Sequence, residues 1–315
     1  MTDALELSEH LRETLGVVPI PPLPDKTDCG DIDVLVPSGA DPCSRLPHRT
    51  DFTTNGGVVS AALTWKGSLV QVDFIPTSPG PFGMAHALAY YTYDVGMYLG
   101  QMAVWQGLTF ATEGLRLRHD PKVPWSEDIL FESDPEKSFG HLGYGPLPEI
   151  RTRQDLWAYV LSSPDTHPDI FATDALNARN RTRNSHRPLW IAFQEWLATR
   201  PPAERPCPPR STHEQAYQRL VGRYPALKEE RDWQRYRWQK TKENAYLLGI
   251  GAVEFHDPHV GREEAGEVVR RLQSYLPEKS QRAEIMNTDG PAREALIALA
   301  RQKAREILAG LRRKT

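Results

Sequence analysis

The run Gly30-Asp31-Ile32-Asp33-Val34-Leu35-Val36 sets two carboxylates two residues apart. On a β-strand both project from one face while Ile32, Val34 and Val36 enter the core. In Val70-Gln71-Val72-Asp73-Phe74-Ile75 the same alternation sets Asp73 opposite to Val72 and Phe74, so pairing the two strands brings a third carboxylate beside the first two. Three acids so close repel one another, and their joint ionisation at neutral pH calls for a divalent cation among them. Ligands that are all oxygen favour magnesium or manganese over zinc. Two ions bridged by carboxylates suit in-line displacement at phosphorus, because they activate an attacking hydroxyl and neutralise a leaving pyrophosphate. On that chemistry Asp31 and Asp33 bind both ions. Asp73 binds mainly the ion carrying the nucleophile and accepts the hydroxyl proton during attack on the α-phosphorus of a nucleoside triphosphate. The plainer alternative for a lone D-x-D is a solvated strand edge. The second apolar strand with its central aspartate, in a strand-rich first 80 residues, favours the metal reading.

Several elements must position these acids. Leu7, Leu11 and Leu15 recur every four residues among charges and Gly16 follows, which predicts an amphipathic helix over residues 3–15. Val17 to Pro24 holds four prolines and reads as an extended lead-in to the strands Asp31–Val36 and Leu69–Ile75. From Met84 to Gln106 the pattern turns helical and aromatic, with Gly96 and Gly100 spaced for close approach of another backbone. Tyr93 and Asp94 on that helix read as buried hydrogen-bonding groups. Asp134-Pro135 marks an N-cap with proline at the first helical position, and Arg153 to Leu161 predicts a further helix. The string R-P-P-A-E-R-P-C-P-P-R from Arg200 to Arg210 is too proline-rich for a helix interior and reads as a boundary. Beyond it, Val268, Val269, Leu272 and Leu276 mark one helix, and Asp289 to Leu311 a long terminal one.

Arg179, Arg181, Arg183, His186 and Arg187 form the densest positive cluster, suited to phosphates, with a solvated loop as the alternative. Leu189 to Leu197 is an apolar helix that anchors this arm to the core. Trp233, Tyr236 and Trp238 alternate with Arg231, Arg235 and Arg237, which leaves core packing and base stacking both open. His256, Asp257 and His259 include metal-ligand types, but Pro258 and Gly261 point to a turn.

Composition excludes more than it identifies. With 39% hydrophobic and 25% charged residues, the 315-residue chain can bury one large or two medium domains. A formal net charge of −3 gives no global attraction to nucleic acid or anionic membrane, so such binding must come from a local cluster. Cys29, Cys43 and Cys207 are odd in number and widely spaced, which argues against disulfides or a cysteine zinc site and fits a reducing cytoplasm. No apolar run approaches membrane-spanning length, and the first residues lack signal-peptide character.

Taken together, Gly30 to Val36 and Val72 to Phe74 resemble the G-D-h-D-h-h-h and h-D-h signature of the DNA polymerase β-like nucleotidyltransferase superfamily. The likeness extends over about residues 17–200, to poorly characterised members with a helix like Tyr90 to Gly96, then G-L-x-F and G-L (here Gly107 to Phe110 and Gly114-Leu115), and a basic stretch ending in R-P like Arg179 to Pro188. The resemblance implies an α/β (α+β) fold: a mixed sheet with flanking helices, followed by a mostly helical C-terminal region. With the proline-rich boundary, the chain is expected to divide into a catalytic domain over 1–145, a helical extension with the basic segment over 146–200, and a helical domain over 212–315. It implies magnesium or manganese on Asp31, Asp33 and Asp73, a nucleoside triphosphate as donor, and a hydroxyl acceptor, by analogy RNA. Gly30, Arg181, Arg183 and Arg187 then contact nucleotide or acceptor. One departure stands out. Where the superfamily carries a Gly-Ser pair that holds the triphosphate, this chain has Ile20-Pro21-Pro22, and prolines lack the N–H donors of a phosphate cradle. Lys26 and Thr27 are the expected substitutes. A catalytically silent nucleotide- or RNA-binding protein, or a toxin or defence enzyme modifying a protein or small molecule, are the competing readings.

Overall fold

In the computed structural model the chain is a mixed α/β protein, as expected. Described are residues 2–25, 30–46, 51–201, 203–249, 251–252, 260, 262–288 and 290–313. Two compact units divide the chain, Met1–Lys228 and Glu229–Thr315.

The first unit is built on a five-stranded sheet in the order β1-β2-β5-β4-β3. Its strands are β1 (Val18–Pro19), β2 (Asp31–Val36), β3 (Asp51–Asn55), β4 (Val58–Trp65) and β5 (Ser68–Pro76). β2 and β5 are parallel and every other pair is antiparallel. Sequence reading missed the β3–β4 hairpin, although Gly56 and Gly57, both at positive φ, supply the two-residue turn that such a hairpin requires. One sheet face carries Ile32, Val34, Val36, Val72 and Phe74 and packs against Leu7 and Leu11 of α1 (Thr2–Leu15). Val34, Val72 and Phe74 are fully buried, each contributing about 1.5–3 kcal/mol by leaving water. The other face buries Leu35 and Ile75 against Ala87 of α2 (Gly83–Tyr91).

The expected continuous helix over 84–106 is two helices, α2 and α3 (Val95–Trp105). Between them Tyr93 and Asp94 both adopt left-handed backbone, φ 56° and 59°. Asp94 is exposed rather than buried, contrary to expectation. Gly96 does allow a close approach, since a Cβ there would lie 2.6 Å from the Tyr90 carbonyl oxygen, whereas Gly100 has open space. α3 then leads into a second sheet of β6 (Leu108–Ala111), β7 (Gly114–Leu117) and β8 (Ile129–Glu132).

The remaining helices of this unit are α4 (Pro135–His141), α5 (Arg153–Val160), α6 (Ala178–Asn184), α7 (Pro188–Ala198) and α8 (His213–Val221). Asp134 caps α4 as expected, accepting from the Glu136 and Lys137 N–H groups. Around α3 lies an aromatic core in which Tyr98 contacts Trp190 and Phe193 of α7, and Trp157 Nε1–H donates to the Tyr98 hydroxyl at 3.1 Å. The basic arm is thus anchored by α7, as its sequence predicts.

The proline-rich string, read as a boundary, is instead strapped to this unit. Arg205 donates to the Pro164 and Thr166 carbonyls, and Trp105 Nε1–H donates to the Pro208 carbonyl at 2.8 Å. The division between units falls later, inside α9 (Ala226–Leu247). In the second unit the helices Arg262–Leu272, Lys279–Asn287 and Pro291–Arg312 share a core containing Val268, Leu272, Leu276, Leu296 and Leu308. On α9 Trp233 and Tyr236 are about half exposed and stack at 5.6 Å, so core packing does not account for them. Lys242 lies over the Trp238 ring. Among the described residues no helix is long and apolar enough to cross a membrane.

Candidate metal and nucleotide cleft

Parallel pairing of β2 with β5 sets Asp33 directly across from Asp73, and Asp31 across from Gln71. One oxygen from each of Asp31, Asp33 and Asp73 lies within 4.8 Å of the others. The alternation that buries Ile32, Val34, Val72 and Phe74 under α1 forces the acids to the opposite face, where Asp31 is exposed and Asp33 and Asp73 are half-buried. Gln71 Nε2–H donates to Asp73 Oδ1 at 2.9 Å and fixes that carboxylate. Asp31 and Asp73 form no ion pair among the described residues. The donor set is all oxygen. Around magnesium, with metal–oxygen distances of about 2.1 Å, neighbouring ligand oxygens stand about 3 Å apart and opposite ones about 4 Å. A trio within 4.8 Å therefore fits a hard divalent cation, or a bridged pair, with small rotamer adjustments.

Asp31 and Asp33 line a cleft of about 720 Å³, a volume suited to a nucleotide-sized ligand. Ile20, Pro21, Pro22 and Leu23 also line it, and the two prolines leave this stretch of the wall poor in N–H donors. Ile20 N–H is already committed to the Asp33 carbonyl at 3.0 Å. The left-handed Tyr93-Asp94 turn brings Tyr91, Tyr93, Asp94 and Met97 to the same cleft. Non-glycine residues in that conformation cost roughly 1–2 kcal/mol each and collect at functional sites. Burial, with smaller contributions from Tyr90 and Asp33, pushes the Tyr91 hydroxyl up to about 12, so at neutral pH it keeps its proton and remains a donor.

Among the expected basic residues, Arg187 lines the cleft. It precedes α7, and its Nη1 lies 3.4 Å from the Met97 sulfur. Burial and then repulsion from Arg183 lower its pKa, opposed by Asp94, although a guanidinium stays charged at neutral pH. Arg183 is exposed and partly opposes the upward shift that burial gives Tyr90 and Tyr91, while Arg181 turns back to the Leu176 carbonyl at 3.2 Å and does not line the cleft. Gly30 is exposed at the entry to β2 with open space around it. Lys26, Thr27, His256, Asp257, His259 and the Arg179 side chain lie outside the described residues.

Arg153 and Asp25 line the cleft and were not foreseen. They meet across 128 residues of sequence, a separation that carries no local signal. A second grouping of His167, Asp169 and Cys207 lies elsewhere. There His167 Nε2–H donates to the Arg205 carbonyl at 3.0 Å and Nδ1 accepts from the Asp169 N–H at 3.2 Å. Burial and Asp169 push the Cys207 thiol up. With both ring nitrogens engaged, this group holds the proline-rich strap.

Fold and site thus define a mixed α/β protein with a carboxylate trio, two of whose members, Asp31 and Asp33, line a nucleotide-sized cleft. No protein-family model matches the chain. No curated protein matches it either.

Proposed function

We propose that this chain is a metal-dependent nucleotidyltransferase that moves a nucleoside monophosphate from a triphosphate to a hydroxyl, preferentially of RNA. The observation that carries the reading is the convergence of Asp31, Asp33 and Asp73 within 4.8 Å, with Asp31 and Asp33 lining the cleft. Those three residues would hold magnesium or manganese, which supplies activation of the hydroxyl and neutralisation of the leaving group. Asp73, oriented through Gln71, has its second oxygen available to take the hydroxyl proton. The hydroxyl oxygen bonds to the α-phosphorus, the bond from that phosphorus to the bridging oxygen breaks, and pyrophosphate leaves with the electron pair. The Tyr91 hydroxyl, still protonated, donates to an oxygen of the donor nucleotide. RNA as acceptor is supported by the exposed Trp233–Tyr236 stack on α9, where bases can stack beside arginines.

The prolines lining the cleft favour a second reading, a nucleotide-binding protein without turnover. Incubation with labelled triphosphates, magnesium and a mixed pool of RNA, protein and small acceptors separates the two. The enzyme reading expects label on an acceptor, release of pyrophosphate, and loss of both in Asp33→Ala. Binding of triphosphate without either product would favour the silent protein.

A further inference from the structure

We infer that Arg153, clamped by Asp25, is the polyphosphate-binding group of this cleft and takes the place of the N–H cradle that Ile20-Pro21-Pro22 cannot provide. The ligand class is a di- or triphosphate chain, whether the tail of a nucleotide or free pyrophosphate. This assignment deepens the nucleotidyl-transfer reading and rests on it.

A carboxylate trio repels a polyanion, so a cleft that accepts one needs fixed positive charge on its other surfaces. Arg153 and Arg187 both line the cleft. Asp25 Oδ2 accepts two bonds from Arg153, from the backbone N–H at 3.2 Å and from Nε–H at 2.9 Å. These two bonds set both the start of α5 and the plane of the guanidinium. Because the clamp uses Nε, the paired Nη groups keep their donors, and they make no hydrogen bond among the described residues. A planar fork held at its base and open at its tip is the geometry that grips two phosphate oxygens at once. Its side chain is 38% exposed, so a ligand can reach it. Asp25 Oδ1 is buried with no partner among the described residues, so its charge is balanced chiefly by this guanidinium. Two of the N–H groups opening α5 are already used: Thr152 accepts from Asp155 within a capping box, and Asp25 takes the Arg153 N–H. The Arg153 side chain, with both Nη groups open, offers an anion a charged fork that the helix terminus lacks.

Inorganic tripolyphosphate, titrated calorimetrically into the full chain with and without saturating magnesium, tests the assignment. Loss of a charge-assisted bidentate contact in Arg153→Ala is expected to weaken binding about 10- to 100-fold. Arg153→Lys restores the charge without the fork and should recover only part. Asp25→Asn, which keeps the arginine but loosens the clamp, should fall between. Melting curves of each variant confirm folding. Wild-type affinity in a folded Arg153→Ala, or full recovery in Arg153→Lys, overturns the assignment. Manganese binding to wild type and Asp33→Ala, followed by spectroscopy, keeps the two ideas apart. If the trio binds no metal yet Arg153→Ala still loses tripolyphosphate, the metal reading falls and the anion site stands. If metal binds and Arg153→Ala is silent, the reverse holds.

Discussion

Replacing Asp33 with asparagine removes one charge from the trio while keeping the side chain's shape, and it separates a metal site from a solvated strand edge. At 4.8 Å a pair of unit charges repels by about 1 kcal/mol under water-like screening and about 3.5 kcal/mol at an effective dielectric near 20. Asp31 is exposed and its partners are half-buried, so the lower figure applies. Asp33→Asn cancels two of the three pairs and so removes about 2 kcal/mol of repulsion from the metal-free protein. For a unit the size of Met1–Lys228 that is a rise of roughly 4–8 °C in melting temperature. Magnesium reverses the order. At about a hundred times its dissociation constant it stabilises wild type by about 2.7 kcal/mol, and it should leave the variant nearly unchanged. Differential scanning fluorimetry in chelator and in magnesium should therefore show the two proteins exchanging rank. Near 1 M sodium chloride, where the screening length falls to about 3 Å, the variant's advantage in chelator should vanish. A variant less stable than wild type in chelator, and equally indifferent to magnesium, would refute the electrostatic reasoning.

Three further outcomes follow from packing and protonation. Phe193→Ala opens the aromatic core around Tyr98, Trp157 and Trp190, and urea unfolding should register a loss of about 3–5 kcal/mol; a loss below 1 kcal/mol would mean the core is not packed as described. Gly96→Ala drives a Cβ to 2.6 Å from the Tyr90 carbonyl oxygen, so a drop of about 1–3 kcal/mol is expected, while Gly100→Ala, with open space, should be neutral or stabilising. Burial lowers the pKa of His86 below its ordinary 6.5, so on acidification the unfolded chain takes up the proton first. Its contribution is complete above 6.5 and is lost as pH falls through that value toward the folded pKa. Urea titrations at stepped pH should accordingly show a shallower acid loss in His86→Gln, and identical slopes would exclude His86 as the source.

The carboxylates were legible in the sequence because period-two alternation around Asp31, Asp33 and Asp73 dictates which side of a strand each acid takes, whatever the rest of the chain does. The helices before and after them, the Asp134 cap and the anchoring of the basic arm by Trp190 and Phe193 were legible for the same reason: local spacing decides them. Tertiary structure decided the rest. Parallel registry of β2 with β5 is a matter of long-range pairing across an intervening hairpin, and it alone turns two acidic strands into one trio. The break at Tyr93-Asp94 opposes the helical pattern of its flanks, and at Gly96 beside it the Tyr90 carbonyl closes in where a Cβ would not fit. Likewise the proline string reads as a boundary until Arg205 and Trp105 are seen to tie it to the first unit. Arg153 became part of the cleft through Asp25, and no residue near either one announces the other, because an ion pair needs proximity in space and sequence records only proximity along the chain.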